Sequence, residues 1–209
     1  MVEKSEARKK QTLDQLRRTQ SSRQVADHVD ANGLDFSYAD LSCIKVDCLF
    51  AKAAVFREAV FTRASIQDSD FEDADFEKAS LQEAAFFDCV FTRANLREAD
   101  LRNGSINMST CLNACFDGTV LSGAQLKGSS LSHCSFRKAK LNGIAAKSAQ
   151  FKNADLTDAD LSDGDFTNAD FRGAQLSGTN WRGALLDDAK FDPGILRLIE
   201  SRGGIPDPT

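Results

Sequence analysis

A chain of 209 residues that is 42% hydrophobic holds enough apolar material for one domain or one continuous solenoid. Its formal charge of −5 argues against general affinity for a phosphate backbone, which positive potential supplies, so no direct nucleic-acid partner is expected. No apolar run reaches membrane-spanning length, and MVEKSEARKKQTLDQLRRTQSS is charged where a secretory signal needs an apolar stretch, so the expectation is a cytoplasmic protein without a membrane partner.

In chain order, residues 1–33 read as a basic N-terminal segment and a cap. Within 1–20, Leu13 and Leu16 allow a helix, and disorder is the alternative at a terminus. SSRQVADHVDANG predicts a short capping helix with Val25, Ala26 and Val29 on one side and a left-handed stop near Asn32 and Gly33.

Residues 34–192 carry a five-residue repeat without a slip of register. Every fifth position from Phe36 to Phe191 is of core type: 13 Phe, 12 Leu, two Ile, Val46, Trp181, Cys111, Ala51 and Ala146. Two residues ahead of each runs a second grid, Leu34 to Ala189, with 19 Ala among its 32 members. Residues two apart on an extended segment face the same side, so Ala74 and Phe76 point inward with Asp75 outward between them. Glu77 and Lys78 then both lie outside, which requires a corner before Ala79 and Leu81 turn in. The second outward residue falls where a type II turn demands positive φ, and that column holds Gly118, Gly123, Gly128, Gly143, Gly173, Gly178 and Gly183, with four Asn and six Asp. Where the large grid shrinks to Ala51 or Ala146, the small grid grows to Leu49 or Ile144, as constant interior volume requires. The fold class is therefore an all-β solenoid. Phe–Phe pairs occur six times at separation 20 and six times at 15, so they do not choose the number of sides per coil. Residues 193–209 close the chain, with Ile195, Leu196, Leu198 and Ile199 in one short helix that seals the last coil.

Cys89, Cys111 and Cys134 fall on the inward grids as compact core fillers, whereas Cys43, Cys48 and Cys115 point outward. No metal site is expected: no second thiol pair completes Cys43 and Cys48, and neither His28 nor His133 has a ligand partner at a metal-site spacing along the chain. No phosphate loop, zinc-protease or nucleophile-elbow motif occurs, and a convex rod offers no pocket to shift a carboxylate. Neither an enzyme nor a cofactor is expected.

ANLREADLRNGS, ADLTDADLSDGDFTNADFRGAQL and TNWRGALLDDAKF resemble the A-(D/N)-L-x-x pattern of pentapeptide repeat proteins, and the resemblance covers residues 34–191. It implies a right-handed quadrilateral β-helix with four pentapeptides to a coil. Its 32 units would make about eight four-sided coils with short helical caps at both ends, a rod on the order of 38 Å long. Phe151, Phe171 and Phe191 would then form one aromatic column. Some members imitate duplex DNA and occupy the DNA site of DNA gyrase or topoisomerase IV, protecting it from quinolones or natural topoisomerase poisons. That implies a type II topoisomerase as partner and a homodimer through Ile195, Leu196, Leu198 and Ile199. The unbroken grid resembles the members without inserted loops.

Two surface features compete for a protein partner. The first is charge: residues 35–117 are net −7, residues 118–152 carry six basic side chains and no acidic one, and residues 153–192 are net −6. Asp155, Asp160, Asp165 and Asp170 occupy the consensus column and would form a ring, so the better acidic patch is Asp68, Asp70, Glu72, Asp73, Asp75 and Glu77 on two sides. The second is misplaced apolar surface: Phe87 and Met108 stand at outward positions on neighbouring coils, with Leu112 around the corner. The alternative to a DNA mimic is thus a scaffold or regulator that binds an unrelated protein through this apolar patch.

Overall fold

The structure, a computed structural model, describes residues 2–22 and 24–201. Helix α1 (Val2–Arg17) precedes five parallel strands, β1 (Ala26–Asp30), β2 (Lys45–Phe50), β3 (Ser65–Gln67), β4 (Ala85–Phe87) and β5 (Ser105–Asn107), and helix α2 (Ile195–Ser201) follows the repeats. The strands stack in sequence order as one sheet, each pairing with the residue 20 further on. Isolated bridges on all sides keep that register: Asp30, Phe50, Asp70, Val90, Thr110, Ser130, Gln150, Asp170 and Lys190 form one ladder. Four pentapeptides therefore close one coil, and this ladder climbs eight coils.

Pentapeptide 74–78 shows why five residues suffice. Ala74 N–H closes the turn onto Phe71 O, Asp75 N–H bonds back to Ala54 O, and Phe76 and Lys78 bond forward to Asn95 O and Arg97 O. The remaining amide, that of Glu77, donates to the Asp75 carboxylate (3.1 Å). Every donor is thus accounted for within one side and one corner. The corner residue takes positive φ at every unit, from Tyr38 (62°) to Asp188 (54°), in the column where the sequence places its glycines.

Inside, the large grid stacks by coil. All six Phe pairs 20 apart lie nearly parallel, as in Phe151–Phe171 (4.9 Å, 4°) and Phe171–Phe191 (5.1 Å, 8°). All six pairs 15 apart also touch, tilted or edge-on, because a residue one side short of a full coil meets its partner across the narrow core. Both spacings are real contacts, which is why counting them along the chain cannot select a coil length. Leu49 with Ala51 and Ile144 with Ala146 are all buried, so the volume exchange holds in place.

The side centred on Val46, Ile66, Phe86 and Ile106 is the one that forms β2 to β5. Its corners lack the turn bond, and hydroxyls on the small grid take over: Leu49 N–H donates to Ser69 Oγ (2.9 Å) and Cys89 N–H to Ser109 Oγ (3.0 Å). Ser69 and Ser109 are buried with their hydroxyls bonded onward to Gln67 O and Asn107 O.

The N-terminal cap differs from the expectation. Residues 26–30 are strand, not helix, and Gly33 (φ 64°) is an ordinary corner of the repeat. Val29 and Ala31 are buried as a third exchanged pair, a large residue on the small grid, which disguises the first unit in the sequence. The capping helix is instead α1. The carbonyls of Asp30, Asn32, Asp40 and Ser42 would accept amides from a preceding coil, as Phe50, Lys52, Val60 and Thr62 do one coil later. Here Thr12 Oγ1 donates to Asp30 O, Arg8 to Asn32 O, and Gln20 to Asp40 O and Ser42 O. Leu16 is fully buried against the core. At the other end, Asp192 accepts the Gly173 amide through its carboxylate (2.9 Å), and Ile199 is buried in the core cluster.

Candidate interaction surface

Many of the outward charges are engaged within the solenoid, by backbone amides or by cations. The consensus aspartates cap backbone amides two residues on: Asp155 receives Thr157, Asp160 receives Ser162, Asp165 receives Thr167 and Asp170 receives Arg172. The six-residue acidic patch does assemble, and it comes with its own cations. Lys52 bridges Asp70 and Glu72 (3.1 and 2.9 Å), Arg93 bridges Glu72 and Asp73 (2.8 and 2.7 Å), and Arg57 pairs with Asp75 and lies 3.8 Å from Glu77. Hydrogen bonds from Lys52 and Arg93 hold Glu72 below the usual carboxylate range, and Arg93 does the same to Asp73. Only Asp68 of the six is without an ion pair among the described residues.

One outer column alternates in sign, with Arg57, Glu77, Arg97, Asp117 and Arg137 at successive coils, and Arg97 and Asp117 are 3.4 Å apart. The basic segment likewise answers the acidic one that follows it. Arg137 meets Asp155 (3.0 Å), Lys147 meets Asp165 (3.1 Å) and Lys152 meets Asp170 (3.3 Å). A sign reversal along the chain thus becomes cross-coil pairing in space.

The apolar candidates stand out against this surface. Phe87 on β4 is 53% exposed and Met108, at the corner after β5, is 56% exposed. Phe87 pairs with Asn107, which puts the two on adjacent coils of one side. Met108 lies along the corner column over Gly128, where an added Cβ would meet its sulfur at 2.7 Å, so a glycine is what makes room for it. Leu112 is half-buried around the corner. On α2, Ile195 is half-buried, Leu196 faces outward and Ile199 turns into the core; the Leu198 side chain lies outside the described residues.

Sequence reasoning missed the exposed rings of Tyr38 and Phe50, because both sit at outward positions close to the irregular first coil. It also missed a corner cluster of Asp27, His28 and Cys48, whose members become neighbours only through the 20-residue register. The buried thiols behave as expected of core fillers: burial pushes Cys89 and Cys134 up to about 12. No described helix is long and apolar enough to cross a membrane.

The pentapeptide-repeats family model matches in eight copies over residues 52–77, 69–107, 113–144, 146–173 and 165–192. No curated protein matches the chain. Among solved structures, trypsin-treated QnrB1, described as a plasmid-mediated fluoroquinolone resistance protein, is similar at TM-score 0.63 and 18% identity, over 87% of this chain and 95% of that one. Full-length QnrB1 is similar at TM-score 0.52 and 21% identity, over 87% and 90%. With its repeat ladder, its corner column and the matched copies all in one register, the chain belongs to the pentapeptide repeat family.

Proposed function

We propose that this protein is a non-enzymatic docking rod that binds a protein partner through the Phe87–Met108 surface. The observation that carries this reading is that a large ring and a thioether stand more than half exposed on adjacent coils, while five of the six acids of the competing patch are paired with cations. Exposed aromatic and methionine side chains held on a rigid frame have the composition of binding hot spots. Affinity capture from extract of the native host, comparing the parent with Phe87→Asp/Met108→Asp, tests it. The folded double variant should lose the captured protein; equal capture by both would discard the surface.

A second reading is a DNA mimic that engages DNA gyrase or topoisomerase IV and relieves inhibition by quinolones. The similar fold of QnrB1 and the net charge of −7 over residues 35–117 favour it. The backbone-bonded aspartates and the cation-bridged patch count against it, because a duplex presents uncompensated phosphates along its length. A supercoiling assay with and without a fluoroquinolone separates the two readings. The docking-rod reading expects no effect at micromolar protein, and restored supercoiling would favour the mimic.

A further inference from the structure

We propose that the corner of the first two coils is a binding site for a borderline divalent transition-metal ion of the Zn²⁺ class, held by Asp27, His28 and Cys48.

The placement follows from the coil register. Asp27 pairs with Asp47 across β1 and β2, so the next residues, His28 and Cys48, share one corner column. Both take the left-handed corner conformation (φ 51° and 56°), which turns their side chains out on the same edge. A carboxylate oxygen of Asp27, a ring nitrogen of His28 and the sulfur of Cys48 all lie within 4.8 Å of one another. Asp27 already holds the ring through His28 Nδ1 at 2.7 Å, and the Phe50 ring lies 6.2 Å from the imidazole. Asp47 sits beside the thiol, its Oδ1 3.6 Å from Cys48 Sγ, and Asp68 continues the corner column one coil on.

Donor chemistry selects the ion. A thiolate, an imidazole and a carboxylate form a mixed S/N/O set that suits Zn²⁺, whereas Ca²⁺ and Mg²⁺ call for oxygen ligands. Tetrahedral coordination would bring the three donors to roughly 3.5 Å apart and leave one position for water. Rotation of exposed side chains supplies that adjustment, opening the 2.7 Å contact of Asp27 with His28 Nδ1 and drawing Cys48 in, since Asp27 and His28 are 60% and 70% exposed at their side chains. The carboxylates of Asp47 and Asp68 add negative charge around the site, which favours a dication. Because two ligands belong to β1 and one to β2, a bound ion cross-links the first coil to the second. This is the end of the rod where no preceding coil exists to hold the edge. The proposal is independent of the docking surface, which lies on later coils.

Co²⁺ titration of the full-length protein tests it, with cobalt as the spectroscopic stand-in for zinc. One Co²⁺ per chain should bind with a sulfur-to-cobalt charge-transfer band, and Zn²⁺ should displace it. Cys48→Ser should abolish the band and His28→Asn, which tolerates the corner conformation, should weaken affinity by at least about tenfold. Cys43→Ser and Cys115→Ser, which remove the other outward thiols, should leave it unchanged. Zn²⁺ should raise the melting temperature of the parent and not of Cys48→Ser. Absence of the band, its survival in Cys48→Ser, or its loss in Cys43→Ser or Cys115→Ser would overturn the assignment. Tight Zn²⁺ binding without a melting shift would overturn the cross-link.

Discussion

At the residue scale, the consensus aspartate explains itself through one amide. In each unit one N–H finds no backbone partner on a neighbouring coil, and where the outward residue two positions earlier is aspartate its carboxylate can accept it, as Asp75 does for Glu77 and Asp170 for Arg172. Such a carboxylate is part of the frame before it is part of any binding surface. Asp170 is the extreme case, with its side chain only 4% exposed and bonded by Arg172 and Lys152. Hydrogen bonds from Arg172 hold its carboxyl well below the usual range. A depressed folded-state pKa contributes stability that is complete above the unfolded value and disappears as pH falls toward the folded one. Asp170→Asn should therefore melt several degrees below the parent at pH 7, and the gap should narrow as pH falls below the ordinary carboxylate range, about 4. A gap of constant width in thermal melts from neutral to strongly acidic pH would show that the ionised pair contributes nothing.

At the scale of elements, the solenoid's two ends obey different rules from its middle. A repeat unit is satisfied by its neighbours, so an end unit needs substitutes for the missing coil. Helix α1 and the turn after it provide them from Arg8, Thr12 and Gln20, with Leu16 as the apolar plug. Leu16→Ala should cost about 2–5 kcal/mol of local stability. Hydrogen exchange should then show loss of protection at the Ala31, Gly33, Leu41 and Cys43 amides while amides around Phe116 and Phe136 keep theirs. Uniform loss along the rod, or none, would contradict a nearest-neighbour cap. The regular units were legible in the sequence because each repeats one chemical decision: small in, polar out, large in, then a corner. Val29 with Ala31 reverses the size order, and Arg8, Thr12 and Gln20 act through hydrogen bonds that leave no periodic mark, so the first coil and its cap were not.

At the scale of the whole molecule, coil length decides what the surface means. Along the chain, acidic and basic stretches look like separate fields. Wound at 20 residues per coil, Lys52, Arg57 and Arg93 fall among Asp70, Glu72, Asp73 and Asp75, and Lys147 falls on Asp165. The apolar pair Phe87 and Met108 was visible at once, since an outward ring breaks the pattern wherever the coil closes. The corner of Asp27, His28 and Cys48 was invisible, since it exists only at one particular coil length. Exposed ion pairs contribute little stability each, yet each weakens the local field that a mimic of nucleic acid would need.

Binding of the captured partner to immobilised protein, measured in parallel for three forms, tests this account most directly. The forms are the parent, Phe87→Asp/Met108→Asp, and a variant carrying Asp68→Asn, Glu72→Gln and Asp73→Asn. The apolar variant should lose at least about a hundredfold in affinity, as loss of two hot-spot residues implies, while the neutralised variant stays within about threefold of the parent. The reverse order, with binding lost on neutralising the acids and kept on replacing Phe87 and Met108, would contradict it.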